Sequence, residues 1–152
     1  MAEAIHHSVV VTRDLEASLR FYRDGVGLTV LHDRRVEGNW PELFDAPSRG
    51  LRAVFLGDPD VPDDHAGVLE LNLFDEAAGD GPPPGPPGSG FFLLSFFADV
   101  DATLNRLAAL GLGGEPRRST QQTPRGPVEL ATVRDPDGVL ILLTPGSITR
   151  PS

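Results

Sequence analysis

Residues His7–Leu28 read HSVVVTRDLEASLRFYRDGVGL, and residues Phe92–Gly113 read FLLSFFADVDATLNRLAALGLG. A shift of 85 residues places Asp14 on Asp99, and both stretches then show one order: an apolar strand, an acidic helix start and an amphipathic helix. The same shift places His7, the first residue of the first stretch, on Phe92, the first residue of the second. The chain is therefore predicted to contain two related modules whose chemistry has diverged.

Alternating and apolar runs outside the repeat predict the remaining strands of each module. The predicted strands are Ala4–Thr12, Leu28–Arg35, Leu51–Leu56 and Gly67–Phe74 in the first half, and Phe91–Phe97, Glu115–Gln122, Val128–Val133 and Val139–Thr144 in the second. Gly38–Gly50 is expected to form a loop or a short helical turn, and Asp135–Gly138 a tight turn. Each half then has the order βαβββ, which predicts an α+β fold.

The segment GDGPPPGPPGSG at Gly79–Gly90 has too much proline and glycine for a helix or a strand. It divides the chain into a first module at 1–76, a linker at 77–90, a second module at 91–146 and a tail at 147–152. A module of this size has a small core of its own, so each sheet is expected to pack on its helix and on the other module.

Composition limits the classes of partner. The net charge is −9, from 22 acidic and 13 basic residues, which argues against nucleic acids and anionic membranes. Cysteine and lysine are absent, which excludes thiolate chemistry and a Schiff base on a protein lysine. No long apolar run or signal-like N-terminus is present, so a cytoplasmic protein without a membrane partner is expected.

Taken in order, HSVVVTRDLEASLRFYRDGVGL, GVLELNLF, DVDATLNRLAALG and VRDPDGVLILL resemble the vicinal oxygen chelate superfamily, which includes glyoxalases, bleomycin-resistance proteins and extradiol dioxygenases. The resemblance extends from about Ile5 to Thr144. It implies two βαβββ modules that form a curled mixed sheet around a shared cavity, and a homodimer.

The resemblance also implies where a divalent metal would bind, because metal-dependent members use up to four side chains, two from each module. The corresponding positions here are His7 and Glu70 in the first module, and Phe92 and Leu142 in the second. Phenylalanine and leucine cannot donate an electron pair to a metal, whereas catalytic sites usually have three protein ligands. No cofactor is therefore expected, and a divalent metal held by His7 and Glu70 is the alternative.

Strand alternation predicts which side chains line the cavity. Glu70 and Asn72 would share a polar wall with His7. Phe92, Leu94, Phe96 and Leu142, with Leu140, would form an apolar wall, and Trp40 and Phe44 are candidates to close over a ligand. Such a cleft fits a largely apolar or aromatic small molecule with a few polar groups. His6 is expected on the opposite face of its strand.

The leading hypothesis is a metal-independent binder of a drug or natural product, as in antibiotic sequestration. The alternative is an enzyme, and the sequence leaves open whether the protein is catalytic. It would be an isomerase, cyclase or lyase that uses His7 and Glu70 as an acid–base pair. A metal-dependent lyase, epimerase or dioxygenase with an unrecognised ligand set is a further possibility, as is an accessory subunit that keeps the fold only for dimerisation.

Overall fold

A computed structural model describes residues 1–2, 4–61 and 66–146, and the chain divides into two compact units. The first unit comprises Met1–Arg23 and Gly27–Asp80, and the second comprises Asp24–Val26 and Gly81–Ser152. The first contains strands β1 (His7–Val11), β2 (Thr29–Glu37), β3 (Gly50–Gly57) and β4 (Val68–Phe74), and helices α1 (Leu15–Leu19) and α2 (Trp40–Phe44). The second contains β5 (Leu94–Phe97), α3 (Val100–Ala109), β6 (Arg117–Thr123), β7 (Gly126–Arg134) and β8 (Leu140–Thr144).

Each unit contains one open, mixed sheet of four strands. The strand orders are β1-β4-β3-β2 and β5-β8-β7-β6, and in each sheet the first and last strands of the βαβββ order are parallel neighbours. The other pairings are antiparallel. The predicted α+β fold with two related modules is therefore confirmed, and the Pro/Gly segment forms neither helix nor strand.

One face of each sheet is buried under its helix. In the first unit α1 packs on β4, and the buried side chains include Leu19, Tyr22 and Leu71. In the second unit α3 packs on β7, and Leu107, Ile141 and Leu143 are buried. Burying a large apolar side chain of this kind contributes about 1.5–3 kcal/mol to folding. The helices thus fix which face of each sheet is left for other contacts.

An aspartate begins the helix of each module. The backbone of Asp14 is extended, and its carboxylate accepts a hydrogen bond of 3.0 Å from the Ala17 N–H. The carboxylate of Asp99 accepts the equivalent bond, also 3.0 Å, from the Ala102 N–H. Each bond satisfies an N–H group that the first turn of a helix leaves unpaired, which is worth about 1 kcal/mol. α1 then continues as a π-helical segment, Arg20–Val26, which ends at Gly27 with a φ of 98°.

The strand–helix connection is one residue shorter in the second unit. Three residues separate β1 from α1, whereas two separate β5 from α3. Glu70 pairs with Val9, and its counterpart Leu142 pairs with Ser95. The counterpart of His7, two residues before the paired position, is therefore Leu93. The shift of 85 residues places it at Phe92, which is wrong by one residue.

This shift corrects the predicted lining of the second sheet. Leu94 pairs with Ile141 and Phe96 with Leu143, and both partners are fully buried on the helix side. Leu94 and Phe96 consequently do not share a face with Leu142, because successive side chains of a strand alternate between faces. Phe92 precedes β5 and is half exposed.

The predicted turn at Asp135–Gly138 is confirmed. The Oδ1 atom of buried Asp135 accepts hydrogen bonds from the N–H groups of Asp137, at 2.9 Å, and Val139, at 2.8 Å. Gly138 has a φ of 90°, a conformation that favours glycine. The turn therefore aligns β7 and β8 through one carboxylate oxygen.

The tail predicted at 147–152 lies outside the described residues. Among the residues that are described, no helix is long and apolar enough to span a membrane.

Candidate functional site

His7 and Glu70 meet on the sheet face of the first unit that α1 does not cover. Glu70 pairs in register with Val9, while its neighbours Leu69 and Leu71 are buried on the helix side. His7 Nε2 lies 3.4 Å from Glu70 Oε2. The His7 side chain is 38% exposed and that of Glu70 is 14% exposed. The predicted proximity of the two residues is therefore observed, and the carboxylate is the more enclosed partner.

Burial raises the pKa of Glu70 above its ordinary value of 4.5. The charges of His7 and Arg34, a hydrogen bond from Asn72 and the charge of His6 act in the opposite direction, but the net pKa shift is upward. Desolvation disfavours the ionised form, and this effect outweighs the nearby positive charges. Glu70 is therefore a stronger proton acceptor, once ionised, than a solvent-exposed glutamate.

Asn72 shares the open face with Glu70, as the alternation of β4 predicts. Its side chain hydrogen-bonds to Glu70, whereas its Oδ1 atom is enclosed and has no hydrogen-bond partner among the described residues. A buried acceptor without a donor is costly, at about 1–3 kcal/mol. A ligand hydroxyl or N–H group would supply the missing donor.

Three further side chains lie on this face that the sequence did not single out. Phe55 of β3 pairs in register with both Glu70 and His32, so these residues form a row across the sheet. The His32 and Phe55 rings meet edge to face with centroids 6.4 Å apart. Arg34, in the next row, holds its Cζ atom 5.7 Å from the centre of the Phe55 ring. The site thus combines acid–base groups with a cation and an aromatic surface.

An irregularity in β2 explains why sequence reasoning missed His32 and Arg34. The register between β2 and β3 shifts between Val30 and His32, where an extra residue enters β2. Such a bulge reverses the alternation beyond it, so counting from the start of the strand gives the wrong face. The paired charges of Arg35–Asp75 and Arg52–Asp33 lie on the other face of the same strands.

His6 touches His7, although it was expected on the opposite face of the strand. The two Nδ1 atoms are 2.6 Å apart and the rings meet edge to face. One of these nitrogens has to carry the proton of the hydrogen bond. If His6 donates it, the His7 Nδ1 is the acceptor and its proton lies on Nε2, toward Glu70. In that arrangement the His7 tautomer carries its N–H toward the carboxylate.

Trp40 and Phe44 form an aromatic pair on α2. Their rings are stacked, with centroids 6.0 Å apart and planes 13° from parallel. Phe44 is 65% exposed, whereas the Trp40 Nε1 atom is enclosed and has no hydrogen-bond partner in the described part of the chain. The predicted short helical turn is confirmed; closure of this pair over a ligand stays a prediction.

Comparison with known proteins identifies the family. A sequence model of the Glyoxalase/Bleomycin resistance protein/Dioxygenase superfamily matches residues 4–143, nearly the whole chain. The chain belongs to this superfamily. The resemblance drawn from the repeated strand–helix pattern is thereby confirmed.

Relatives within the superfamily are glyoxalase-like. The chain is 39% identical to the lactoylglutathione lyase-like protein terB of Aspergillus terreus over 153 aligned positions, which cover 97% of this chain and 76% of that protein. A glyoxalase family protein from Bacillus cereus matches the fold with a TM-score of 0.71 at 20% identity, covering 95% of this chain and 94% of that one. The trypanothione-dependent glyoxalase I of Leishmania major matches with a TM-score of 0.59 at 23% identity, covering 94% of this chain and 86% of that one.

The superfamily implies a divalent metal held by side chains at four positions. His7 and Glu70 are competent donors and are in contact. Leu142 and Leu93 stand at the structurally equivalent positions of the second unit and offer no donor atom. Two side-chain ligands are fewer than the three usual for a catalytic metal. This donor set does not fit a divalent ion, and no grouping of three or more His, Asp or Glu side chains placed to hold one occurs in residues 1–2, 4–61 and 66–146.

Proposed function

We propose that this glyoxalase-superfamily protein is a metal-independent enzyme that moves a proton within a small carbonyl compound, with Glu70 as the base and His7 as its partner. The observation that supports this most directly is the 3.4 Å contact between His7 Nε2 and the enclosed Glu70 carboxylate on an open sheet face. A carboxyl group whose pKa is raised by burial, with a histidine within reach, is typical of acid–base sites.

The chemistry follows from the states of the two groups. Ionised Glu70 accepts a proton from a carbon next to the substrate carbonyl, and the electron pair of the broken C–H bond moves onto the carbonyl as an enolate. The proton then returns to a different carbon or to the oxygen, so that the product is an isomer and no redox partner is consumed. His7 holds the carboxylate in position through Nε2 and stabilises its ionised form.

The similarity to a lactoylglutathione lyase-like protein supports an enzyme over a passive binder, because proton transfer next to a carbonyl is compatible with a lyase-like relative. Only His7 and Glu70 supply donor atoms at the four implied metal positions, which supports a reaction that needs no metal. We accordingly propose that no cofactor is required.

Solvent exchange tests the proposal. The protein is incubated in D2O with a panel of ketones and 2-oxo acids in the presence of a chelator, and loss of α-proton signal is followed by NMR. We expect exchange by the wild type, and a fall of about 10²–10⁴-fold in Glu70→Gln, the usual contribution of a general base. Glu37→Gln is the matched control, because Glu37 is an exposed glutamate at the end of β2 on the other face. Full exchange in Glu70→Gln would refute the proposal, and activity restored only by an added divalent metal would assign the chemistry to a metal.

A second candidate function is sequestration of a drug or natural product without turnover. The observation that favours it is the loss of both donor positions in the second unit to leucine, next to the exposed Phe97 on the open face of β5. The net charge of −9 would favour a cationic, planar ligand. Tight binding of such a compound, unchanged in Glu70→Gln and lost in Leu142→Asp, would support this function in place of the enzyme.

We also propose that the protein works as a cytoplasmic homodimer whose partner is a small molecule and neither a nucleic acid nor a membrane. Analytical ultracentrifugation of the purified chain tests the dimer, since a monomer at all concentrations would refute it.

A further inference from the structure

Arg34 differs from the other arginines near it. Arg35, Arg49 and Arg52 each form an ion pair with a carboxylate, at Asp75, Glu42 and Asp33 respectively. The guanidinium of Arg34 has no hydrogen bond or ion pair with any described residue, and its Cζ atom lies over the Phe55 ring, 5.7 Å from the ring centre. Strand β2 thus pairs Arg35 with a carboxylate, whereas Arg34 forms no ion pair within residues 1–2, 4–61 and 66–146, which leaves its donors available for a ligand.

The position of Arg34 places that cation at the proposed acid–base site. In the sheet, Arg34 pairs with Ala53, which pairs with Asn72. Arg34 and Asn72 therefore lie in one row, two strand spacings or roughly 10 Å apart at the backbone, on the same face as Glu70. The charge of Arg34 also acts on the Glu70 carboxylate.

The groups on this face are complementary to one kind of molecule. A guanidinium binds a carboxylate through two parallel N–H donors, and contact with an aromatic ring keeps its plane fixed. The enclosed Asn72 Oδ1 needs a donor, which the hydroxyl of an enol would supply. Glu70 needs an acidic C–H group. A neutral ketone would supply the donor for Asn72 and the acidic C–H group for Glu70, but it would leave Arg34 without a ligand group to bind.

We propose that Arg34 selects substrates that carry a carboxylate, so that the site takes small 2-oxo acids and related carbonyl carboxylates in preference to neutral ketones. The inference rests on the proposed proton-transfer function for its chemistry, but the binding of the carboxylate is separable from that chemistry. Arg34 acts as a specificity-determining residue: it orients the anionic end of the substrate and leaves the carbon acid facing Glu70.

The test compares two compounds that differ in the anionic group, phenylpyruvate and phenylacetone. Dissociation constants are measured by ligand-observed NMR, and deuterium exchange at the benzylic carbon of each compound is measured in the same samples. We expect Arg34→Gln to raise the Kd of phenylpyruvate by about tenfold, as loss of one charge-assisted hydrogen-bonded pair at an exposed site predicts. The Kd of phenylacetone should not change.

Two further variants test whether the change in Kd is specific to the guanidinium group and to the position of Arg34. Arg34→Lys keeps the charge but not the planar pair of donors, so the Kd of phenylpyruvate should lie between those of the wild type and Arg34→Gln. Arg35→Gln removes the adjacent arginine on the opposite face of β2 and should change neither Kd.

The outcomes separate this inference from the proposed function. Equal Kd values of phenylpyruvate in the wild type and Arg34→Gln, an equal effect of Arg35→Gln, or no saturable binding of phenylpyruvate would overturn the inference. Exchange of both compounds that depends on Glu70 and not on Arg34 would leave the proposed function standing and refute the role of Arg34. Arg34-dependent binding of phenylpyruvate without exchange would support the carboxylate site and refute proton transfer.

Discussion

Replacing Gly38 with alanine should displace the indole of Trp40. A β-carbon at residue 38 would lie 2.6 Å from both Cε2 and Cζ2 of that indole and 3.1 Å from Cδ2. Carbon atoms in contact are normally about 3.5–4.0 Å apart, so the ring has to move by roughly 1 Å. The ring is stacked on Phe44 and its Nε1 is enclosed, so this movement disturbs packing on two sides. Since overpacking costs about 1–3 kcal/mol, we expect the free energy of unfolding to fall by that amount.

Fluorescence gives a direct assay, because Trp40 is the only tryptophan in the chain. We expect the emission maximum of Gly38→Ala to shift to longer wavelength as the indole becomes more exposed. The thermal midpoint should fall by about 2–12 °C, at roughly 2–4 °C for each kcal/mol in a chain of this size. Titration with phenylpyruvate in the same cuvette also tests whether Trp40 closes over a ligand, through a saturable change in emission.

Gly79→Ala is the matched control. A β-carbon at residue 79 meets no atom of the described residues within 4 Å, so this variant should keep the wild-type spectrum. It should be unchanged in stability or gain up to about 1 kcal/mol from a less flexible unfolded chain. If Gly38→Ala and Gly79→Ala show the same emission and the same midpoint, the close packing of Trp40 against residue 38 is refuted.

Three further predictions concern stability. Gly81→Ala should destabilise the second unit by about 1–3 kcal/mol, because its β-carbon would overlap the carbonyl oxygen of Asp137. The β-carbon of Gly88→Ala meets no atom in the described part of the chain, so this control should be neutral in urea unfolding. Asp135→Ala should cost about 2–4 kcal/mol by leaving two turn N–H groups without their acceptor, and Asp135→Asn, which keeps Oδ1, should cost less by calorimetry; equal losses would contradict this reasoning. Because the folded-state pKa of Glu70 is raised, its contribution to stability is fully present below about pH 4.5 and is lost as pH rises through the folded pKa. Glu70→Gln should therefore gain stability relative to the wild type between acid and neutral pH, and a constant difference across that range would contradict the upward shift.

The candidate site was partly predictable from the sequence. Glu70 and Asn72 lie two residues apart on a strand that alternates cleanly, and their shared face follows from that alternation. His7 was placed beside Glu70 by the family pattern, and the parallel pairing of β1 with β4 brings the two together. His32 and Arg34 were not predictable, because their face depends on a register shift in β2 that no local sequence pattern indicates. The face of Phe55 follows from the pairing of β3 with β4, which are distant from each other along the chain.

In the second unit, the face that each β5 side chain occupies was also not predictable from the sequence. Leu94 and Phe96 were expected beside Leu142, but the shorter connection to α3 reverses the face of β5. A deletion of one residue changes the hydrophobic pattern very little, since the strand is apolar on both sides. The missing residue becomes visible only in the pairing of β5 with β8.

The sequence by itself determined the two βαβββ units, the helix starts at Asp14 and Asp99 and the turn at Asp135–Gly138, because each depends on interactions within a few residues of the chain. The tertiary structure decided which side chains surround Glu70 and which leucines replace the donors in the second unit. Those relations depend on hydrogen-bond register between strands that are distant in sequence, and a change of one residue in register moves every later side chain to the other face.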